Sequence, residues 1–159
     1  MRNLTIIDID GVLNPFYARQ SQLEGFQEFI LPNNLHSVFL NLKLQVPYLK
    51  QMNEMSEIVW GSAWGANSNM LSEYLGLEQL QWIPISNTDV GLGTWKIKSI
   101  RKWVEEHDGE YDKVIWIDDE LESDAFEWAK ERGRMLAVAP DRVNGLTKNE
   151  FESIVNFLK

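Results

Sequence analysis

Apolar residues gather in five short runs, at residues 4–9 (LTIIDI), 57–61 (EIVWG), 81–85 (QWIPI), 113–117 (KVIWI) and 135–139 (MLAVA). Runs this short, rich in Val, Ile or Trp and closed by a polar or turn-forming residue, predict buried β-strands. Between them, over 46–54, 66–75, 94–106, 123–132 and 147–158, apolar positions recur every three or four residues, the period of an amphipathic helix. Capping signals agree: Ser123 precedes Asp124 and Glu127, Gly133 closes that helix, and Thr147 with Glu150 forms a capping box. Strands alternating with helices predict an α/β fold, a three-layer, doubly wound (Rossmann-like) parallel five-stranded sheet covered on both faces. Residues 26–31 and 37–42 break the rhythm. They read as two strands joined by Pro32-Asn33-Asn34, a β-hairpin flap over the end of the first strand.

Composition narrows the picture. The chain has 159 residues, suited to a single domain spanning 1–159, and no repeat or Pro/Gly/Ser-rich linker divides it. It has no cysteine, which excludes disulfides, zinc–thiolate sites and cysteine nucleophiles and fits a reducing compartment. The first residues hold too short an apolar run for a signal peptide, and no stretch is apolar enough for a membrane helix, so a cytoplasmic location is expected. The net charge of −9 opposes non-specific attraction to nucleic-acid phosphates without forbidding a local basic patch.

The chemistry concentrates at strand ends, where open parallel sheets bind ligands. Asp8-Ile9-Asp10-Gly11 follows the first strand, and alternate residues of an extended chain face one side, so Asp8 and Asp10 can meet one substrate. Two such neighbouring acids repel, which favours keeping one protonated unless a cation intervenes. That gives a division of labour: Asp8 as nucleophile on phosphorus, Asp10 as general acid and then base. Asp118-Asp119 ends the fourth strand and offers hard oxygen ligands for Mg²⁺. Asp118 is the first choice beside Asp8, with the Asp10 backbone carbonyl as a third ligand. Asp119 is either an alternative ligand or a partner for a lysine, and Asp124 fits best as charge at a helix N-terminus. Ser62, after the second strand, can bind phosphate oxygens, and Lys96 can neutralise transition-state charge. Lys98 is turned away from Lys96 by its helix, so one of the two is a surface lysine.

In order, DxDG, a strand-terminal Ser62, a helix-start Lys96 and the strand-terminal Asp118-Asp119 resemble the haloacid dehalogenase (HAD) superfamily. The resemblance implies a sheet whose first strand is central, flanked by the second and fourth, with Asp8, Ser62 and Asp118 brought together. Val12-Leu13-Asn14-Pro15, Val59-Trp60-Gly61-Ser62-Ala63-Trp64, Gly93-Thr94-Trp95-Lys96, Trp116-Ile117-Asp118-Asp119 and Gly145-Leu146-Thr147 are similar to the HAD domain of bacterial and phage RNA-repair (Swiss Army Knife) proteins. This implies a phosphatase of polynucleotide ends. Superfamily caps are inserted after the first or third motif. About forty residues separate Gly11 from the second strand, already used by the hairpin and a helix, so no large cap is expected.

Other readings compete. Asp8-Ile9-Asp10-Gly11 alone could be a turn, Asp118-Asp119 a helix-capping turn, Ser62 a turn residue and Lys96 a solvated lysine. Gly91-Leu92-Gly93-Thr94-Trp95-Lys96 lacks the Walker spacing. Of the seven tryptophans, Trp60, Trp82, Trp116, Trp103 and Trp128 are expected in the core, leaving Trp64 and Trp95 as candidate substrate contacts. His36 and His107 lack metal-ligand spacing. The substrate stays open between a polynucleotide end, a small phosphorylated metabolite and a phosphoprotein. A phosphate-binding regulatory or interaction module without turnover is the alternative of a different class, and no obligate protein partner is implied.

Overall fold

Four of the apolar runs pair as a parallel sheet: β1 (Arg2–Ile7), β4 (Glu57–Trp60), β5 (Tyr111–Ile117) and β6 (Met135–Val138), in the order β4-β1-β5-β6. The structure is a computed structural model, and it describes residues 1–15, 24–32, 37–86 and 93–159. Side chains alternate across the sheet and so divide the core in two. Ile7, Ile58, Trp60, Ile115 and Ile117 face one side, with α1 (Leu42–Met55) and α4 (Lys148–Leu158). Leu4, Ile6, Val59, Val114 and Trp116 face the other, with α2 (Ile97–Glu106) and α3 (Ser123–Arg132). Trp60, Trp116 and Phe151 are fully buried, each contributing on the order of 2–3 kcal/mol of apolar burial.

The register places the chemistry. Ile7 pairs with both Trp60 and Ile117, so β1, β4 and β5 end in one row. The Asp8 amide donates to the Ile117 carbonyl at 3.0 Å, and the Gly61 amide to the Ile7 carbonyl at 2.9 Å. The residues just past each strand (Asp8, Gly61-Ser62 and Asp118) thus share one edge of the sheet, with β1 central as expected.

The hairpin forms from β2 (Gln27–Ile30) and β3 (Ser37–Leu40), antiparallel from Gln27↔Leu40 to Ile30↔Ser37. Its second strand is shorter than residues 37–42, because the Asn41 side chain accepts from the Leu44 amide and starts α1. The turn residues Asn33 and Asn34, together with His36 and Gly91-Leu92, lie outside the described residues. Among the described residues, no large cap is inserted.

The expected fifth strand at 81–85 does not form. It touches β4 only through the isolated bridge Trp60↔Trp82, where Trp60 donates to the Gln81 carbonyl and Ile83 to the Trp60 carbonyl, both at 2.9 Å. β4 itself ends at Trp60, and the Ser62 carbonyl that would accept the next bond lies in a turn, taken by the Gly65 amide at 3.1 Å, so the ladder goes no further. Trp82 is accordingly 41% exposed, not core. Residues 66–75 form a 3₁₀ helix (Gly65–Met70) followed by turns, not an α-helix. Asn69 diverts that segment: its Oδ1 accepts from Trp60 Nε1 and the Leu80 amide, and its Nδ2 donates to the Leu80 carbonyl. Helix α3 has the expected bounds, but its cap position is Glu122, one residue before Ser123. The Thr147–Glu150 capping box opens α4 as expected. Among the described residues, no helix is long and apolar enough to cross a membrane.

Candidate active site

Lys96 lies at the centre of the strand-end row. It occupies the cap position of α2 and is 3% exposed. Its three ammonium protons have three partners: Asp118 Oδ2 at 2.7 Å, Asp8 Oδ2 at 3.0 Å and the Gly61 carbonyl at 3.1 Å. Desolvation works against this buried ammonium, yet the two carboxylates hold its pKa above the ordinary lysine value. Lys98 is exposed and lines a separate surface cleft with Ile83 and Trp103, so it is not part of this centre.

Asp8 is buried, with Oδ1 accepting from the Ile9 amide at 2.8 Å. Burial pushes its carboxyl well above the usual carboxylate range; the charge of Asp118 adds to this and Lys96 opposes it. The repulsive neighbour is thus Asp118 and not Asp10, whose side chain is drawn elsewhere. Asp10 Oδ1 accepts from Asn14 Nδ2 and Oδ2 from Trp64 Nε1, each at 2.9 Å. Asp118 is fully buried, and its Oδ1 accepts from the Glu120 amide at 2.9 Å.

Asp119 does not partner the lysine. It meets the exposed Arg142 guanidinium at 3.5 Å, and burial, followed by the charges of Asp118 and Glu120, pushes its carboxyl to about 6. Gly11, at φ +78°, makes room for Asp119: a Cβ there would collide with the Asp119 carboxyl. One carboxylate oxygen from each of Asp8, Asp118 and Asp119 lies within 4.8 Å of the others, so the three could hold a metal ion. An all-carboxylate donor set fits a hard divalent cation. The Asp10 side chain is not part of that group.

Ser62 is buried at the end of β4, with Oγ accepting from the Trp64 amide at 3.1 Å. Trp64 and Trp95 both line the cleft over Asp8, Asp10, Ser62 and Lys96, and Arg142 and Glu120 complete its wall. Trp95 Nε1 donates to Glu120 Oε2 at 2.6 Å. The loop carrying Lys96 is latched to α3 through Asp124, which accepts from the Thr94 hydroxyl at 2.6 Å and the Thr94 amide at 3.0 Å. Asp124 therefore does more than place charge at a helix start: it fixes the approach of Lys96. Sequence reasoning gave no role to Arg142, Asn14 or Thr94. Asn14 carried the one usable signal, an amide four residues beyond Asp10 in a Gly-containing turn.

The raised carboxyls make metal binding a competition with protons. Their folded-state pKa values lie above the ordinary value of 3.8, so without metal their contribution to stability is full below that value. It is lost as pH rises through the folded values. A bound cation reverses this, because ligation requires the ionised form. Adding Mg²⁺ is expected to raise the melting temperature more at about pH 7.5 than at about pH 5; equal shifts at both would contradict the assignment of these carboxyls as ligands.

An acidic cluster at the end of a central parallel strand, with a buried lysine bridging two of its members, defines an α/β domain with a candidate metal site. The chain belongs to the family of HAD domains in Swiss Army Knife RNA repair proteins, whose family model matches residues 4–151. No curated protein matches the chain significantly. A crystal structure of a hypothetical protein from Xanthomonas campestris is similar at 14% identity and a TM-score of 0.45, over 99% of this chain and 82% of that one.

Proposed function

We propose that the chain is a Mg²⁺-dependent phosphomonoesterase that works through an aspartyl-phosphate on Asp8, with residues 1–159 acting as one domain. The observation that carries this reading is the buried Asp8 carboxyl at the end of the central strand, with Lys96 Nζ at 3.0 Å and Asp10 two residues on.

An Asp8 oxygen attacks phosphorus while Asp10 gives its proton to the departing alcohol oxygen. Asp10, now a carboxylate, takes a proton from the water that attacks the aspartyl-phosphate, and the electron pair of the broken bond returns to Asp8. Ser62 Oγ and neighbouring amides hold the phosphoryl oxygens, and Lys96 offsets charge that grows in the transition state. Asp8, Asp118 and the Asp10 backbone carbonyl would hold Mg²⁺, with Asp119 beside them, and the bound ion would supply positive charge for the phosphoryl group.

The favoured substrate is a polynucleotide terminal phosphate. The family's association with RNA repair supports it, as does a cleft with no large cap above it among the described residues, while the net charge of −9 works against it. The test is release of inorganic phosphate from an aryl phosphate and from a 3′-phosphorylated oligonucleotide, each with Mg²⁺ or chelator. Metal-dependent release, faster from the oligonucleotide, is the expected result. Release from the aryl phosphate alone would exclude the polynucleotide end. Metal-dependent phosphate binding without release from either would replace the enzyme by a binding module.

A further inference from the structure

Both oxygens of Asp10 are held by donors, and these come from separate parts of the chain. Asn14 Nδ2 donates to Oδ1 and Trp64 Nε1 to Oδ2, each at 2.9 Å. The indole N–H can only donate, so its direction is unambiguous. The Asn14 amide is oriented just as firmly, because its Oδ1 accepts from the Phe39 amide of β3 at 2.9 Å, which turns Nδ2 toward Asp10. Two donors on opposite oxygens block rotation of the carboxyl about its Cβ–Cγ bond, and each oxygen keeps a lone pair for a proton. Trp64 is itself fixed: its amide donates to Ser62 Oγ at 3.1 Å and its ring packs on the core beneath the site.

We propose that Trp64 is a positioning residue for proton transfer, holding the Asp10 carboxyl, through its indole N–H, at the angle needed to reach the leaving-group oxygen. This rests on the phosphomonoesterase reading above. In the step it serves, the bond from phosphorus to the leaving oxygen breaks as the bond to Asp8 forms. The Asp10 proton moves to that oxygen, which departs as an alcohol. An acid that is present but free to rotate loses much of the advantage of a fixed one.

The effect should therefore depend on how much the leaving group needs a proton. A nitrophenolate departs readily without one, whereas an alkoxide does not. Trp64→Phe keeps most of the ring and removes the N–H. It is compared with wild type on 4-nitrophenyl phosphate and on an alkyl phosphomonoester, reading kcat/KM, which covers the chemistry only through departure of the leaving group. The expected result is a fall of about 10- to 100-fold on the alkyl ester, a fraction of what general-acid catalysis contributes. On the nitrophenyl ester the fall should be no more than about threefold, with KM little changed on either. Asn14→Ala, which removes the donor from the other oxygen, should carry the same leaving-group signature, so the proposal stays testable if one variant fails to fold. Equal losses on the two esters would make Trp64 a packing residue and overturn the proposal, and so would no loss on either. Absence of turnover in the wild type would instead overturn the phosphatase reading beneath it.

Discussion

Asp8→Asn is expected to lower metal-dependent phosphate release by at least about 10³-fold, since an amide cannot serve as the nucleophile. The fold should not suffer. The Asp8 carboxyl is buried and held above its ordinary range by desolvation and by Asp118, so a neutral amide of the same shape removes a cost. Lys96 keeps Asp118 Oδ2 and the Gly61 carbonyl as partners. Urea denaturation at about pH 8 with chelator should therefore find the variant at least as stable as wild type. Loss of activity together with loss of stability would instead make Asp8 a structural residue, and unchanged activity would exclude it as the nucleophile.

Lys96→Met is expected to have the largest effect on stability. Asp8 and Asp118 would be left buried, without their shared cation, at the most enclosed point of the site. Breaking a buried pair from one side costs roughly 3 kcal/mol or more, about 6–12 °C in melting temperature for a chain of this size. The loss should be greater at pH 8 than at pH 5, because Asp8 can take up a proton at the lower pH and escape an uncompensated charge. Denaturation at both values, with chelator present, checks this. A pH-independent loss would point to packing of the lysine stem alone.

The legible parts of this molecule are those whose signal lies within a few residues. Apolar runs located β1, β4, β5 and β6, and polar residues just beyond three of them marked the site, because a parallel sheet collects its strand ends on one edge. The run at 81–85 has the same appearance yet forms a single bridge. The run stops pairing because its partner does: β4 ends at Trp60 and Ser62 is already in a turn, which nothing within 81–85 records. The segment 66–75 misled for a different reason: its apolar spacing is helical, but Asn69 spends its side chain on Trp60 and Leu80, contacts that spacing cannot foretell.

The site divides the same way. Asp8, Asp10, Ser62, Lys96, Asp118 and Asp119 stand out as residue types at strand and helix ends, and all six line or underlie one cleft. What orients them was hidden. Trp64 reaches Asp10 across 54 positions and Thr94 reaches Asp124 across 30. Such pairings follow from how the elements dock and leave no local pattern. The partner of Lys96 was open for a related reason: Asp118 and Asp119 are adjacent, and which one turns inward depends on the strand's pleat. β5 directs Asp118 into the buried row and leaves Asp119 at the mouth, against Arg142.

The most direct measurement is rapid acid quench of wild-type protein turning over an aryl phosphate with Mg²⁺, followed by mass spectrometry of the peptide that contains Asp8. A phosphoryl group on Asp8, absent with chelator and absent in Asp8→Asn, is the expected result. Turnover with the phosphoryl group on another residue, or undiminished in Asp8→Asn, would contradict the mechanism.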